Sequence, residues 1–400
     1  MSSTIPKRLE FPSGLTASDF LREFWQRRPL LMRDALPGLR SPLRSADLAA
    51  LAGAPRVESR LVLERGVRPW EVRHGPFDEA LFATLPESHW TLQVRDVDKL
   101  VPEVALLLDR FDFLPLWRLD DITFSLAADQ GSVGPQVDAV DVFVIQAEGR
   151  HRWRIDPHPD PAAPCVPGLD LPILAHFQAQ EQWVLAPGDC LYLPAGVPRW
   201  GIAEGPGLTW SLALRAPHWQ ELAGAWCDHA IRTRLPQARY RDPDPQPHHH
   251  RGEVPASVLT QIRRRIEEAL GGADDEAFAA WFGAHLSGPK EHLAVEPAAV
   301  PLTALTLRAL IERRGALARG PSRVLFSALE QAPLLLFVGG ETHRLPSACR
   351  GFAQLLCESH TLGWEQLAPW LEQPACLEVL CILYNHGHYG IIGGGRPPFQ

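Results

Sequence analysis

No Cys-x-x-Cys pair occurs in this sequence, although it has 7 cysteines. They stand at positions 165, 190, 227, 349, 357, 376 and 381, odd in number and irregularly spaced. Such a set argues against a disulfide framework and fits buried thiols in a reducing compartment, so a cytoplasmic protein is expected. No run of about 18 apolar residues is present, which excludes an apolar helical membrane span. Met1 to Pro12 lacks the apolar core of a secretion signal. There is no excess of positive charge: 39 Lys and Arg face 47 Asp and Glu, for a net charge of −8. That balance argues against non-specific nucleic-acid binding and leaves room for a basic protein partner. Internal repeats and low-complexity tracts are missing as well.

What is present reads as several domains. A chain of 400 residues exceeds one ordinary core. Thr16-Ala-Ser-Asp19 caps a helical stretch from Phe20 to Arg28, closed by Pro29, and Ser45-Ala-Asp47 opens a second short helix that ends near Gly53. From Val57 the pattern becomes short alternating runs, among them Ser59 to Leu63, Trp90 to Val94, Ile122 to Leu126, Asp141 to Gln146, Arg152 to Ile155, Gln182 to Leu185, Cys190 to Leu193 and Thr209 to Leu214. One helix, Val101 to Phe111, interrupts them. Turns rich in Pro and Gly separate the strands, as in a sandwich or a jelly-roll barrel. Helices come next at Trp219 to Arg234, Ser257 to Leu270 and Asp274 to Leu286. Trp219, Leu222, Trp226 and Ile231 keep helical spacing and predict a buried apolar face. The last hundred residues alternate helix, two strands, a Gly339-Gly340 turn and further helices, the order of a winged helix. The helix from Ser347 to Ser359 carries one Arg, a poor phosphate-contacting surface.

A metal-binding jelly-roll takes two ligands from an early strand, spaced i, i+2 so that both face inward, and a third from a late strand. The early frame is Val133-Gly-Pro-Gln136-Val-Asp138, and the late one is Pro187-Gly-Asp-Cys-Leu-Tyr-Leu-Pro194-Ala-Gly-Val-Pro198-Arg199. Gln136 stands where a histidine is wanted, and the late frame ends on Arg199, a residue that would aim into the barrel. A Gln carbonyl is a weak donor to a metal, and a guanidinium has no lone pair to give. His158 lies in a Pro-rich loop and His176 before a turn, and both read as surface residues. His248, His249 and His250 lie in a loop rich in Pro and Asp.

Several stretches together resemble the bacterial JmjC-type cupin oxygenases that hydroxylate an arginine of a ribosomal protein. They are Phe24 to Leu30, Arg73 to Phe77, Trp117 to Asp121, Val133 to Gln146, Gly149 to Trp153, Pro187 to Pro198 and Arg215 to Pro217. The resemblance implies an α+β chain. A double-stranded β-helix (jelly-roll, cupin/JmjC) barrel with N-terminal helices would span 1–217. A helical dimerisation segment would span 218–296, a winged-helix-like module 297–392 and a flexible tail 393–400. It also implies iron(II), 2-oxoglutarate and dioxygen as reaction partners.

Of the metal ligands in that family's His-x-Asp…His triad, only Asp138 matches. His151 stands fifteen positions after Gln136, where the family has a basic residue for the far carboxylate of 2-oxoglutarate. Thr209 takes the place of a family asparagine. Asp120 and Asp121 match an acidic pair and are candidates for binding a basic substrate side chain, near a mouth that also carries Asp138 and Asp141. The sequence thus supports a homologue without iron- and 2-oxoglutarate-dependent activity. It would have no cofactor and no assignable catalytic residue, and would act as a homodimeric binding module for a basic or ribosomal protein, without nucleic acid or membrane as partner. Arg199 would serve as an internal cation opposite Asp138. The alternative is an active hydroxylase with an unorthodox site.

Overall fold

The computed structural model describes residues 8–65, 68–157, 163–237, 239–241, 252, 254–330 and 332–392. His158, the His248–His250 loop and the 393–400 tail lie outside them. Twelve strands make the barrel: β1 (Leu30–Met32), β2 (Ser59–Arg65), β3 (Arg68–His74), β4 (Trp90–Val94), β5 (Leu119–Ala127), β6 (Gln136–Val137), β7 (Val142–Glu148), β8 (His151–Ile155), β9 (Glu181–Leu185), β10 (Cys190–Leu193), β11 (Pro198–Ala203) and β12 (Gly207–Leu214). They form an eight-stranded sheet, ordered β1-β10-β7-β12-β5-β4-β2-β3, and a four-stranded sheet, ordered β6-β11-β8-β9. All pairings are antiparallel.

Strand alternation explains the two cores. Along β7, Val142 and Val144 join Trp153, Ile155, Leu185, Leu191 and Leu193 between the sheets. The intervening Phe143, Ile145 and Ala147 point outward and pack with Phe20, Phe111, Phe124 and Trp210 under the N-terminal segment. A strand buried on both faces reads as an unbroken apolar run, which β7 does. The N-terminal helix spans Ala17–Glu23, with a capping box between Thr16 and Asp19. The single helix expected from Val101 to Phe111 is replaced by Val97–Leu100, Pro102–Ala105 and a 3-10 turn at Leu108–Phe111. Pro102 starts a new helix because its ring presets φ but cannot continue the preceding one.

Past the barrel, helices span Trp219–Arg234, Ala256–Gly271 and Asp275–Ser287. The expected buried face of the first is only partly formed. Trp226 packs against Trp281 and Phe278, but Trp219 is 86% exposed and Ile231 51%. The C-terminal module holds two three-stranded sheets. One contains β13 (Ala316–Arg319), β17 (Thr361–Gly363) and β18 (Tyr389–Ile391); the other contains β14 (Val324–Ala328), β15 (Leu334–Val338) and β16 (Glu341–Leu345). Gly339 and Gly340 both take positive φ in the β15–β16 turn, as a tight hairpin requires. The Asp275–Ser287 helix lies on this second sheet, where Leu286 joins Leu325, Leu335 and Phe337. Helix and sheet approach so closely that a Cβ on Gly283 would fall 2.3 Å from the Phe337 ring.

Candidate functional site in the barrel

The four-stranded sheet aligns the substituted positions. Arg199 on β11 stands opposite Gln136 on β6 and Ile155 on β8. One rung along, Gly201 faces Trp153; one further, Ala203 faces His151. Residues two apart on a strand share a face, so Arg199, Trp153, His151 and Gln136 all line one surface. Gln136, Arg199 and His151 are buried. Gly201 makes room for the larger neighbours, because a Cβ there would lie 2.9 Å from Trp153 and 3.1 Å from His151 Nε2.

An ion pair joins the Arg199 guanidinium to Asp138, with side chains 10% and 27% exposed. The guanidinium also lies 5.8 Å from the centre of the Trp153 ring, and that ring stacks on His151 at 5.4 Å. Burial lowers the His151 pKa to about 4, so its ring is neutral at pH 7. Thr209 donates to Gln146 Oε1 at 3.1 Å. Arg60 donates through Nε to Gln93 at 2.6 Å, and Gln93 donates on to Ser125 at 3.0 Å.

These residues do not make the facial metal site of the resemblance. Asp138 is the single anionic donor there, and Arg199 already holds it. A cation at the third position repels a second cation instead of ligating it. The cosubstrate side of the barrel differs in character. Arg199 Nε, Trp153 Nε1 and His151 Nδ1 are buried without a hydrogen-bond partner. Two of these atoms can only donate.

Asp120 and Asp121, the candidates for a basic substrate side chain, meet basic side chains of this same chain in the structure. Asp120 pairs with Arg323 at 3.1 Å and Lys290 at 3.7 Å. Asp121, 1% exposed, lies 3.4 Å from Arg95 and 3.8 Å from Lys290. Burial raises its pKa to about 6 against the pull of Lys290. Asp141 is likewise not part of an acidic mouth. It is fully buried, accepts from Tyr192 at 2.8 Å and pairs with Arg118 at 3.4 Å.

Next to that cluster, Glu58, Asp96 and His292 bring one potential ligand atom each to within 4.8 Å of one another. The charge there is already met. Asp96 holds Lys290 at 2.7 Å and His292 at 2.9 Å, while Glu58 holds Arg95 at 2.8 Å. Sequence reasoning missed Arg60, Lys290 and His292. Arg60 sits in the β2 alternation, a signal that was available; Lys290 and His292 join partners almost two hundred positions away.

The comparisons agree with this architecture. A JmjC domain model matches residues 106–222, and a ROXA-like winged helix matches residues 271–390. The chain is 31% identical to the ribosomal protein uL16 3-hydroxylase of Escherichia coli (strain K12) over 382 residues, covering 95% of this chain and 99% of that protein. The X-ray structure of E. coli ycfD superposes with a TM-score of 0.80 at 30% identity, over 96% of this chain and 99% of that one. YcfD, a ribosomal oxygenase from E. coli, in complex with cobalt and 2-oxoglutarate, matches with a TM-score of 0.79 at 30% identity and the same coverage. That complex overturns the expectation of a protein without cofactors, which rested on the substituted positions alone: a relative matched along nearly its whole length takes a metal and 2-oxoglutarate. With one such relative spanned end to end, this chain belongs to the JmjC-type bacterial ribosomal-protein hydroxylase family.

Proposed function

We propose that this protein recognises a ribosomal protein, as a homodimer in the cytoplasm. The observation that carries the reading is the match to the uL16 hydroxylase over 99% of that relative's length, winged helix included. Dimerisation is supported by the Ala256–Gly271 helix, where Leu259, Ile262 and Ile266 form an exposed stripe at i, i+3 and i+7. Among the described residues no helix is long and apolar enough to cross a membrane.

Two observations bear on the chemistry that recognition would serve. The cobalt and 2-oxoglutarate complex of a relative favours hydroxylation that depends on iron(II) and 2-oxoglutarate. The Arg199–Asp138 pair favours recognition without turnover. A retention assay tests the shared part: immobilised protein should hold uL16 from a mixture of purified ribosomal proteins. Retention no better than that of an unrelated basic protein of equal charge would sink the proposal. Succinate formation from 2-oxoglutarate, with iron(II) and the retained protein present, then separates the two chemistries. Turnover above a heat-killed control selects hydroxylation, and its absence selects recognition alone.

A further inference from the structure

We propose that Glu341, His343 and His386 form a zinc(II) site on the winged-helix module, separate from the barrel. Two short segments supply it. Glu341-Thr-His343 lies on β16, where residues two apart share a face. His386-Gly-His388 follows the helix Pro374–Asn385, with His386 as its C-cap. The fold brings both segments to one carboxylate oxygen. His386 Nδ1 lies 3.2 Å from Glu341 Oε2, and His343 Nε2 lies 3.9 Å from the same atom. Among the described residues, the ion pairs of Glu341 are to these two histidines alone, so no Lys or Arg occupies the carboxylate.

An unmet nitrogen marks the place. The His343 side chain is 10% exposed, and its Nε2 is buried without a hydrogen-bond partner. At 3.9 Å it is too far from Glu341 to share a proton with it. Buried polar atoms almost always find a partner, so this one calls for an account. Two imidazoles and one carboxylate make a mixed nitrogen and oxygen donor set, which suits zinc and not calcium or magnesium. Ligand atoms bound tetrahedrally to zinc stand about 3.3 Å apart. The 3.2 Å edge already has that length, and the 3.9 Å edge has only to shorten modestly. Glu341 and His386 are 50% and 46% exposed, so both side chains can close on His343 from the surface and leave a position for water. The ion therefore reaches its ligands from solvent, without an interior cavity. The backbone around the three is held in place. His388 Nδ1 and Ser322 Oγ are hydrogen-bonded at 2.7 Å, and a Cβ on Gly339 would fall 2.3 Å from His388 Cε1. The segment that carries His386 is thereby fixed against the hairpin that carries Glu341 and His343.

Equilibrium dialysis of metal-stripped full-length protein against micromolar zinc(II), with bound metal assayed, tests the proposal. Wild type should retain one more zinc per chain than Glu341→Gln or His386→Gln, and each change should weaken binding at this site at least about tenfold. Both positions are half exposed, so melting in chelator should match wild type, whereas saturating zinc should raise the melting temperature of wild type alone. Equal zinc retention by wild type and both variants would overturn the site. So would loss of the zinc on changing His248, His249 and His250 together to Ala, which assigns the ion to that loop. Loss in His292→Gln would overturn it too, by assigning the ion to the group around Asp96. None of these outcomes turns on the barrel chemistry or on uL16 retention.

Discussion

Two buried polar centres in this molecule are out of balance in opposite directions. In the barrel, Arg199, Trp153 and His151 leave nitrogen atoms without partners. At the junction between barrel and winged helix, Asp121 leaves both carboxylate oxygens without a hydrogen bond. The junction resolves its surplus internally, since Arg95 and Lys290 stand 3.4 and 3.8 Å from Asp121 and supply charge without hydrogen-bond geometry. Among the described residues, the barrel's one ion-paired anion beside Arg199 is Asp138, and it is already used. A centre short of cations can recruit long, mobile Lys and Arg stems from another domain.

The contrast between the two centres breaks most visibly at Lys290. Its ammonium touches Asp96, Asp120 and Asp121, two of them 1% exposed. Lys290→Ala should cost about 3 kcal/mol, because it strands buried carboxylates instead of removing a pair. Chemical denaturation should then show the winged helix loosening before the barrel; one unchanged transition would mean that the junction bears no strain of this kind. Arg199→Ala should cost less, roughly 2 kcal/mol, because Asp138 remains a quarter open to water. Thermal melting against Arg150→Ala, a change at an exposed arginine, measures the difference. If the two variants melt alike, Arg199 is no internal cation.

The smallest effects are in pH dependence, and they have opposite signs. His151 titrates at about 4 when folded and near 6.5 when unfolded. The unfolded chain therefore takes up a proton that the folded chain refuses, so His151 costs stability as pH falls from 6.5 toward 4. Asp121 titrates at about 6 when folded and near 3.9 when unfolded. The folded state binds its proton first, so acidification from 6 toward 4 gains stability there. Between pH 7 and pH 5 each contribution is about 1 to 2 kcal/mol, and in the native protein they largely offset. His151→Phe should make the protein relatively more stable at pH 5 than at pH 7, and Asp121→Asn relatively less. Urea melts at the two pH values decide this, and parallel shifts in both variants would contradict the assignment.

Much of the barrel was legible because strand period and turn residues are local. The Pro187-Gly-Asp turn, the apolar run of β10 and the second turn before Pro198 marked Arg199 as a late position aimed into the barrel; its pairing with Gln136 and the shared face of His151 and Trp153 come from the structure. The partners of Asp120 and Asp121 were not legible. An acidic pair beside a barrel strand looks the same whether a substrate or Arg323 meets it, and Arg323 lies 203 positions away. The expected helix from Val101 to Phe111 is instead a one-turn helix, Pro102–Ala105, followed by a 3-10 turn at Leu108–Phe111. The place of the Asp275–Ser287 helix against the wing sheet depended on a missing side chain, Gly283, which no periodicity announces.

That glycine gives the molecule a lever. With the helix backbone seated on the Phe337 ring, the Asp275–Ser287 segment can neither roll nor lift without carrying the wing sheet along. Its outward face offers Phe278, 45% exposed, as a handle. Three residues past its end stands Lys290, whose other grip is on the carboxylates at the start of β5. One helix and one lysine thus connect Phe278 to the strand that runs beside Thr209 in the barrel wall.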